Sequence, residues 1–322
     1  MQNSENISEN IKLQAKDLGF LECAIIPAGF LEEEEEHFKN WLKAGMHGEM
    51  GYMARNIEKR LDPRLLFENA KTVIVVLQNY FPKATQQNPE APVLSKYAYG
   101  TDYHFVMKKK LKKLLAFIQE QTVPCNARPF VDSAPVLERA WARRAGIGWV
   151  GKNSNLISVE HGSFFFIGEL ILDIELPYDH PKQVADHCGT CTRCIDACPT
   201  QAIVANRVVD ARKCISYQTI ELKGDLDENL KGQFENRVFG CDICQDVCPW
   251  NLKSKPHNEE CFNPHPKLLE LSKNDWYQME RPLFNELFKN SAVKRAGFKG
   301  LKRNIDFIQT NTDRGAIWKN RP

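Results

Sequence analysis

The alternation of apolar and polar positions predicts helices and strands in turn along the first half of the chain. Apolar residues recur at helical spacing from Ile7 to Leu18 and Gly19 follows, so we predict an opening helix that ends at a glycine. Residues 23–26, Cys-Ala-Ile-Ile, form a short apolar run that is typical of a strand. The acidic run 32–36 indicates the solvated start of another helix, where carboxylates favour the positive end of the helix dipole.

Two further apolar runs predict strands that are covered on both faces. Val73 to Leu77 is apolar at odd and even positions, and Phe164 to Leu172 is similar with a glycine inside it. Between them, Met107 to Ile118 keeps helical spacing beneath a row of lysines. We interpret this cationic face as solvated surface, with contact to phosphates as the alternative. Together these elements predict an α/β or α+β domain in the first 180 or so residues.

Composition narrows the class of protein. The chain has 322 residues, of which 43% are hydrophobic and 26% charged, enough for one large domain or two to three smaller ones. It contains no run of about 18 uncharged apolar residues, so we expect no membrane span. The polar N-terminus shows no signal-peptide pattern, and we expect a cytoplasmic location. A formal net charge of +2 argues against a general polyanion binder, although a local basic patch remains possible.

The cysteines carry the most specific signal in the sequence. Eight of the eleven lie between residues 188 and 248, and a reducing compartment disfavours disulfides. The run Cys-x2-Cys-x2-Cys-x3-Cys-Pro from Cys188 to Pro199 has the spacing of bacterial ferredoxins. A second run, Cys-x2-Cys-x3-Cys-Pro, extends from Cys241 to Pro249, and Cys214 lies between the two.

This spacing predicts two [4Fe-4S] clusters with crossed ligands, because the fourth cysteine of such a run binds the other cluster. We expect a helix near Pro199 to carry that fourth cysteine away. One predicted ligand set is Cys188, Cys191, Cys194 and Cys248, and the other is Cys198, Cys214, Cys241 and Cys244. Zinc is the alternative, which the oversupply of thiolates for one ion disfavours. We interpret Cys23, Cys125 and Cys261 as buried or incidental thiols.

A [4Fe-4S] cluster whose four ligand positions are all filled transfers electrons but performs no substrate chemistry. The first 180 residues contain neither a GxGxxG motif after a strand nor a P-loop. The residues alone therefore predict a redox protein whose larger domain holds an unidentified electron acceptor.

Seven short segments in a fixed order extend this picture. They are residues 58–63 (EKRLDP), 99–104 (YGTDYH), 131–139 (VDSAPVLER), 145–153 (AGIGWVGKN), 162–164 (GSF), 214–217 (CISY) and 236–241 (NRVFGC). With the cysteine block, they resemble the epoxyqueuosine reductase family over nearly the whole chain.

The resemblance implies an α+β fold in three parts. Residues 1–181 would form a nitroreductase-like cobalamin-binding domain, residues 182–262 a ferredoxin-like domain with two [4Fe-4S] clusters, and residues 263–322 a short basic helical tail. The implied activity reduces epoxyqueuosine to queuosine at the wobble position of tRNA, with electrons passing through the clusters to base-off cobalamin. The implied partners are the tRNA anticodon arm and an external low-potential donor such as flavodoxin or ferredoxin. A monomer is expected.

The resemblance also assigns residues. Asp132 would be the proton donor, with a pKa raised by burial so that its carboxyl group is neutral near pH 7. The structural alternative for Asp132 is a helix N-cap. His104 is read as structural or substrate-facing, not as a cobalt ligand, because Met107 replaces the glycine of the usual ligand motif. The cobalamin contacts would be Arg60, Ser95, Asp132, Lys152, Asn153, Leu156 and Ser216.

The C-terminal residues are basic. From Lys289 onward there are nine Lys or Arg against two Asp, a formal charge of +7. A helix from Lys294 to Ile308 would place its cations opposite its apolar residues, and we expect it to contact tRNA phosphates. The predicted contacts are Lys294, Arg295, Lys299, Lys302 and Arg303. A solvated helix face is the alternative.

Two other functions stay open at this point. A reductive dehalogenase resembles the same pair of domains, although such enzymes usually carry a twin-arginine signal that this sequence lacks. A di-cluster electron carrier without a catalytic centre of its own would explain the cysteines alone. Cobalamin content separates the carrier from either enzyme.

Overall fold

The computed structural model describes residues 2–309 and combines helices with sheets, as the sequence pattern predicts. The helices are α1 Gln2–Asp17, α2 Glu32–Lys43, α3 Ile57–Leu61, α4 Tyr103–Gln121, α5 Glu138–Arg144, α6 Arg193–Asp196, α7 Ile215–Ile220, α8 Ile243–Asp246, α9 Lys273–Tyr277, α10 Arg281–Leu287 and α11 Gly297–Gln309. The strands are β1 Glu22–Pro27, β2 Thr72–Asn79, β3 Val93–Leu94, β4 Ala127–Phe130, β5 Trp149–Val150, β6 Leu156–Ile157, β7 Phe165–Leu172, β8 Ile203–Ala205, β9 Val208–Val209 and β10 Arg237–Phe239. Within residues 2–309, no helix is both long and apolar enough to cross a membrane.

A four-stranded antiparallel sheet organises the first half of the chain. Its strand order is β1-β2-β7-β4, so the two apolar runs predicted as strands form its centre. Val73 to Leu77 are fully buried, which confirms a strand covered on both faces. The register places Glu169 of β7 between Val75 of β2 and Phe130 of β4.

Helices cover both faces of this sheet. α1 and α4 pack on one face and α5 packs on the other, each against its own apolar cluster. Gly168 in β7 allows α4 to approach closely, since a Cβ at that position would lie 2.8 Å from Cε of Met107. The sheet therefore holds the N-terminus of α4 and the segment between β4 and α5 in fixed relation.

The cysteine-rich region consists of short elements. α6 and α8 each carry one cysteine of the two runs, and β8 and β9 form a hairpin between them. The prediction of a helix near Pro199 is wrong, because a turn and then β8 follow Cys198. Gln201 adopts a left-handed backbone with φ of 52°, which interrupts any helix there.

The two halves of the chain share a hydrophobic core. β3 pairs in parallel with β10, and residues 91–99 pack with α7, β10 and α11. The predicted C-terminal helix is divided into a 3-10 turn at Ala292–Arg295 and α11, whose first residue, Gly297, has φ 69°. The described part of residues 263–322 thus packs against α7 and β10, which belong to the cysteine-rich region. The three-domain division and the nitroreductase likeness stay predictions.

Candidate active site and cofactor ligands

The first predicted set of cysteines comes together across the two runs. Burial raises the pKa of Cys194, and the neighbouring charges of Cys188, Cys248 and Cys191 raise it further. Burial also raises the pKa of Cys248, and the charges of Cys188 and Cys191 raise it further. Cys248 from the second run therefore lies close to the three cysteines of the first, and the crossed assignment stays a prediction.

The second set shows the same proximity. Burial raises the pKa of Cys214 and of Cys244. The charge of Cys198 raises that of Cys214 further, and the charges of Cys241 and Cys214, and more weakly that of Cys194 from the first set, raise that of Cys244. Backbone N–H groups point at these sulfurs, as when Ala202 donates to Sγ of Cys198 at 3.2 Å. Such donors stabilise the charge of cluster thiolates, so the residues fit two iron-sulfur clusters.

Lys152 and Asn153 reach the loops that carry the cysteines. Nζ of Lys152 donates to the carbonyl oxygens of Gly189 and Cys191 at 2.8 and 2.9 Å, and the Asn153 amide donates to that of Cys244 at 3.3 Å. Leu156, in β6, is buried. The hairpin β5–β6 therefore joins the first half of the chain to the cysteine loops, while its predicted cobalamin contact stays a prediction.

Arg60 has an unsatisfied buried donor. Only 7% of its surface is exposed, and one guanidinium nitrogen donates to the carbonyl of Tyr52 at 2.8 Å. Its Nε has no hydrogen-bond partner within residues 2–309. Because a buried unpaired donor on a cation is costly, this position fits an acceptor on a bound molecule, as the predicted cobalamin contact requires.

The other two predicted cobalamin contacts flank the second set of cysteines. Ser95 is buried, its hydroxyl donates to Asp242, and its amide donates to Phe239 O at 2.8 Å. Ser216 is the second residue of α7, and Cys214 is the N-cap of that helix. Both serines therefore lie beside cysteine-bearing backbone.

Asp132 lies in the segment between β4 and α5, next to the N-terminus of α4. Its Oδ2 accepts a hydrogen bond from the Tyr103 hydroxyl at 2.6 Å and lies 3.5 Å from Nε2 of His104. Nδ1 of His104 lies 2.7 Å from Oδ1 of Asp102. The N-cap alternative for Asp132 is wrong, since α5 begins at Glu138 with Leu137 as its N-cap.

Hydrogen bonds within the protein influence the protonation of this group. Although 60% of the Asp132 side chain is exposed, the surrounding protein raises its pKa by desolvation. Hydrogen bonds from His104 and Tyr103 outweigh that effect, so the pKa of Asp132 lies below its ordinary value. Burial lowers the pKa of His104, but Asp102 and Asp132 raise it to about 9. Near pH 7 the protein's own side chains therefore favour a proton on His104 and a carboxylate at Asp132, while the neutral Asp132 expected between the corrin face and the substrate stays a prediction.

Sequence reasoning gave no role to Tyr103 or Glu138. The Asp132 amide donates a hydrogen bond to the Glu138 carboxylate. Both residues stand inside segments that carry the family resemblance, so their positions were visible in the sequence. Their function was not, because it depends on how α4 and α5 meet on the sheet.

The predicted tRNA contacts separate into two groups. Arg295 pairs with Glu221 through two bonds of 2.6 and 2.7 Å, and its positive charge acts on Asp132. Arg303 donates to the carbonyl oxygens of Leu222 and Gln218 at 2.9 and 3.0 Å, and Lys302 donates to that of Tyr277 at 2.8 Å. These three side chains are thus engaged within the chain. Lys294 and Lys299 are exposed.

The family comparisons agree with this geometry. Residues 60–133 match the family described as "Epoxyqueuosine reductase QueG, DUF1730", and residues 187–251 match the "4Fe-4S double cluster binding domain". An epoxyqueuosine reductase from Cellulophaga algicola is 56% identical over 309 residues, covering 96% of this chain and 100% of that protein.

Solved structures are also similar. A crystal structure of epoxyqueuosine reductase with a tRNA-Tyr epoxyqueuosine-modified stem loop matches with a TM-score of 0.86 and 29% identity, covering 95% of this chain and 81% of that one. The Bacillus subtilis epoxyqueuosine reductase matches with a TM-score of 0.85 and 28% identity over the same shares of the two chains. In that structure the catalytic aspartate loop is swung out of the active site.

Proposed function

Since this chain belongs to the epoxyqueuosine reductase family and is an oxidoreductase, we propose that it reduces epoxyqueuosine to queuosine at the wobble position of tRNA. The observation that carries the proposal at the site is the Tyr103–Asp132–His104 group, which is open to solvent beside basic residues. A similar enzyme binds a tRNA stem loop that carries the epoxide, which supports the same substrate here.

The chemistry defines what the residues must supply. Both C–O bonds of the epoxide break, a carbon-carbon double bond forms, and the oxygen leaves as water, so each turnover consumes two electrons and two protons. When bound, the two clusters would supply single electrons and base-off cobalamin would supply the reducing centre for the epoxide carbon. Arg60, with its unpaired Nε, and the residues flanking the cysteines would hold the cobalamin.

The first proton comes from the chain's own side chains. The protonated His104, whose pKa is about 9, passes its proton to the Asp132 carboxylate, which relays it to the epoxide oxygen. The second proton, which completes the water, comes from solvent, to which 60% of the Asp132 side chain is exposed. Tyr103 orients the Asp132 carboxylate through its hydroxyl. This relay is consistent with the low pKa of Asp132, because the acid at rest is the His104 imidazolium and Asp132 carries the proton only while it is transferred.

The tRNA backbone would meet the C-terminal basic segment. Lys294 and Lys299 are exposed, and Arg295 lies within electrostatic range of Asp132, so phosphates held here would bring the wobble base to the site. An external low-potential donor, such as a flavodoxin or ferredoxin, would reload the clusters. We further propose that the protein works in the cytoplasm as a monomer.

The decisive experiment compares the intact protein with Asp132→Asn. Both are reconstituted anaerobically with iron, sulfide and cobalamin, given a chemical reductant, and offered tRNA that carries epoxyqueuosine. We expect the intact protein to form queuosine, and Asp132→Asn to keep its iron, cobalamin and tRNA affinity while losing turnover. Asp17→Asn, on the exposed side of α1, is the matched control.

Each other outcome is informative. Full turnover by Asp132→Asn would remove Asp132 as the proton donor. If the intact protein, loaded with clusters and cobalamin, leaves the tRNA unchanged, the substrate is a different one and another corrinoid reduction replaces this proposal. If it binds no cobalamin, the electron-carrier function is correct.

A further inference from the structure

The backbone of Asp132 is held in an unfavourable conformation. Its φ is 54°, in the left-handed region that residues other than glycine rarely occupy. Such a conformation persists only where surrounding contacts determine it. The Asp132 amide donates its hydrogen bond to the carboxylate of Glu138, six residues further along the chain.

Glu138 is attached to a rigid element. It is the first residue of α5, where Ala140, Trp141 and Ala142 are buried against the central sheet. The segment from Ser133 to Leu137, by contrast, contains no regular element. The bond to Glu138 therefore connects an irregular segment to the core.

A third carboxyl group lies beneath this pair. Glu169 of β7 is fully buried, and neither of its oxygens has a hydrogen-bond partner within residues 2–309. Burial, with the charges of Glu138 and Asp132, raises the pKa of Glu169 well above its ordinary value. Burial and the charge of Asp132 also raise the pKa of Glu138, to about 8. The carboxyl groups repel one another when ionised, so the position of Asp132 is sensitive to what Glu138 does.

We propose that Glu138 is the latch of the catalytic segment: its side chain binds the Asp132 amide and so holds residues 131–137 where Asp132 meets Tyr103 and His104. Glu138 is thus a positioning residue that acts through Asp132, and this inference rests on the function proposed above. The related Bacillus subtilis enzyme, whose catalytic aspartate loop is swung out, indicates that such a loop can occupy a second position. Breaking the latch would favour that position.

Hydrogen exchange tests the latch without any substrate. Peptides spanning residues 128–138 are followed by mass spectrometry in reconstituted protein. We expect Glu138→Ala to raise exchange of the Asp132 amide about tenfold, since its acceptor is lost. Glu138→Gln retains an oxygen acceptor and should stay close to the intact protein. Glu138→Asp keeps the carboxyl group but withdraws it by one methylene, so it should resemble Glu138→Ala.

A kinetic readout distinguishes positioning from general destabilisation. With tRNA substrate, Glu138→Ala should lower kcat about tenfold and leave KM within about twofold, because Asp132 acts in the chemical step. Iron content and thermal midpoint confirm that each variant folds. Glu36→Ala, on the exposed side of α2, is the matched control.

The outcomes separate the latch from the proposed reaction. Unchanged exchange in both Glu138→Ala and Glu138→Asp would overturn the latch, whatever the enzyme does to tRNA. Exchange that rises as much in Glu138→Gln as in Glu138→Ala would also overturn the latch. In that case the side-chain oxygen that accepts from the Asp132 amide would make no difference. A protein that shows the expected exchange pattern but converts no epoxyqueuosine would keep the latch and lose the proposed function.

Discussion

The Tyr103 hydroxyl donates a hydrogen bond of 2.6 Å to Oδ2 of Asp132, and the aromatic packing beneath it fixes its direction. The Tyr103 ring stacks on Phe166 of β7 with centroids 4.1 Å apart and planes 7° from parallel, and it also stacks on His104. The sheet therefore determines where the Asp132 carboxylate points. Together with the hydrogen bond from His104, the same contact lowers the pKa of Asp132.

Tyr103→Phe tests that contact. The ring and its stacking remain, but the hydrogen bond that lowers the pKa of Asp132 is lost, so this pKa should rise. Infrared titration measures it, with the Asp132 band identified by its absence in Asp132→Asn. Tyr178→Phe is the control, because its hydroxyl donates to the Lys71 carbonyl instead. A pKa of Asp132 that stays the same in Tyr103→Phe would show that the hydroxyl does not set it.

Much of the fold was predictable because its signals are local. Val73 to Leu77 is apolar on both parities and forms a buried central strand, as that pattern requires. The cysteine spacing likewise predicts a domain with two [4Fe-4S] clusters, which the family match over residues 187–251 confirms. In both cases the information lies in neighbouring residues.

The remaining features depend on contacts between distant residues. Arg303 has the sequence context of an exposed cation, but it donates to the carbonyl oxygens of Gln218 in α7 and of Leu222 just after it, more than 80 positions away. The pKa of Asp132 depends on Tyr103 and His104, which α4 brings to it. Glu169, an acid within an apolar strand, was a visible anomaly whose neighbour Glu138 only the packing of α5 on the sheet reveals.

Paired cysteine substitutions test the crossed ligand sets. Cys191→Ser with Cys248→Ser should damage a single cluster and leave about four irons per chain, because both residues belong to one set. Cys191→Ser with Cys198→Ser should damage both clusters, although these residues are neighbours in one run. Cys261→Ser should keep about eight irons, since this exposed thiol is in neither set. Iron analysis of anaerobically reconstituted protein gives the counts, and equal loss in the two double variants would contradict the crossing.

Charge reversal tests the tRNA surface at its exposed lysines. Lys294→Glu with Lys299→Glu should weaken tRNA binding and reduce the salt dependence of the affinity by about one unit of slope per lost phosphate contact. Binding measured at several salt concentrations gives that slope, and Lys16→Glu on α1 is the control. If the double variant binds tRNA as tightly as the intact protein at every salt concentration, these lysines do not contact tRNA.

Arg303 is unsuitable for that test. Arg303→Ala would leave carbonyl oxygens of Gln218 and Leu222 without their charged donor, so the variant should lose thermal stability. A fall in tRNA binding by this variant would therefore report on folding as well as on contact.

The pH dependence of stability follows from Glu138 and His104. The pKa of Glu138 rises on folding from 4.5 to about 8, and that of His104 from 6.5 to about 9. The folded protein thus binds more protons than the unfolded chain at each group. The contribution of His104 to the free energy of unfolding is fully present below pH 6.5 and is lost as the pH rises through about 9. Raising the pH from 4.5 through about 8 likewise lowers stability, as the poorly solvated Glu138 ionises.

Glu138→Gln removes one of these two titrations and keeps the side chain's shape. The thermal midpoint of the intact protein should fall steadily from about pH 6 to 8, and that of Glu138→Gln should fall less over the same interval. His104→Asn should instead flatten the decline between about pH 7 and 9, because the imidazolium is then absent. Scans at one heating rate on reconstituted protein measure both slopes. Parallel curves for all three proteins would mean that neither group holds its extra proton in the folded state, and the proton supply to Asp132 would have to come from elsewhere.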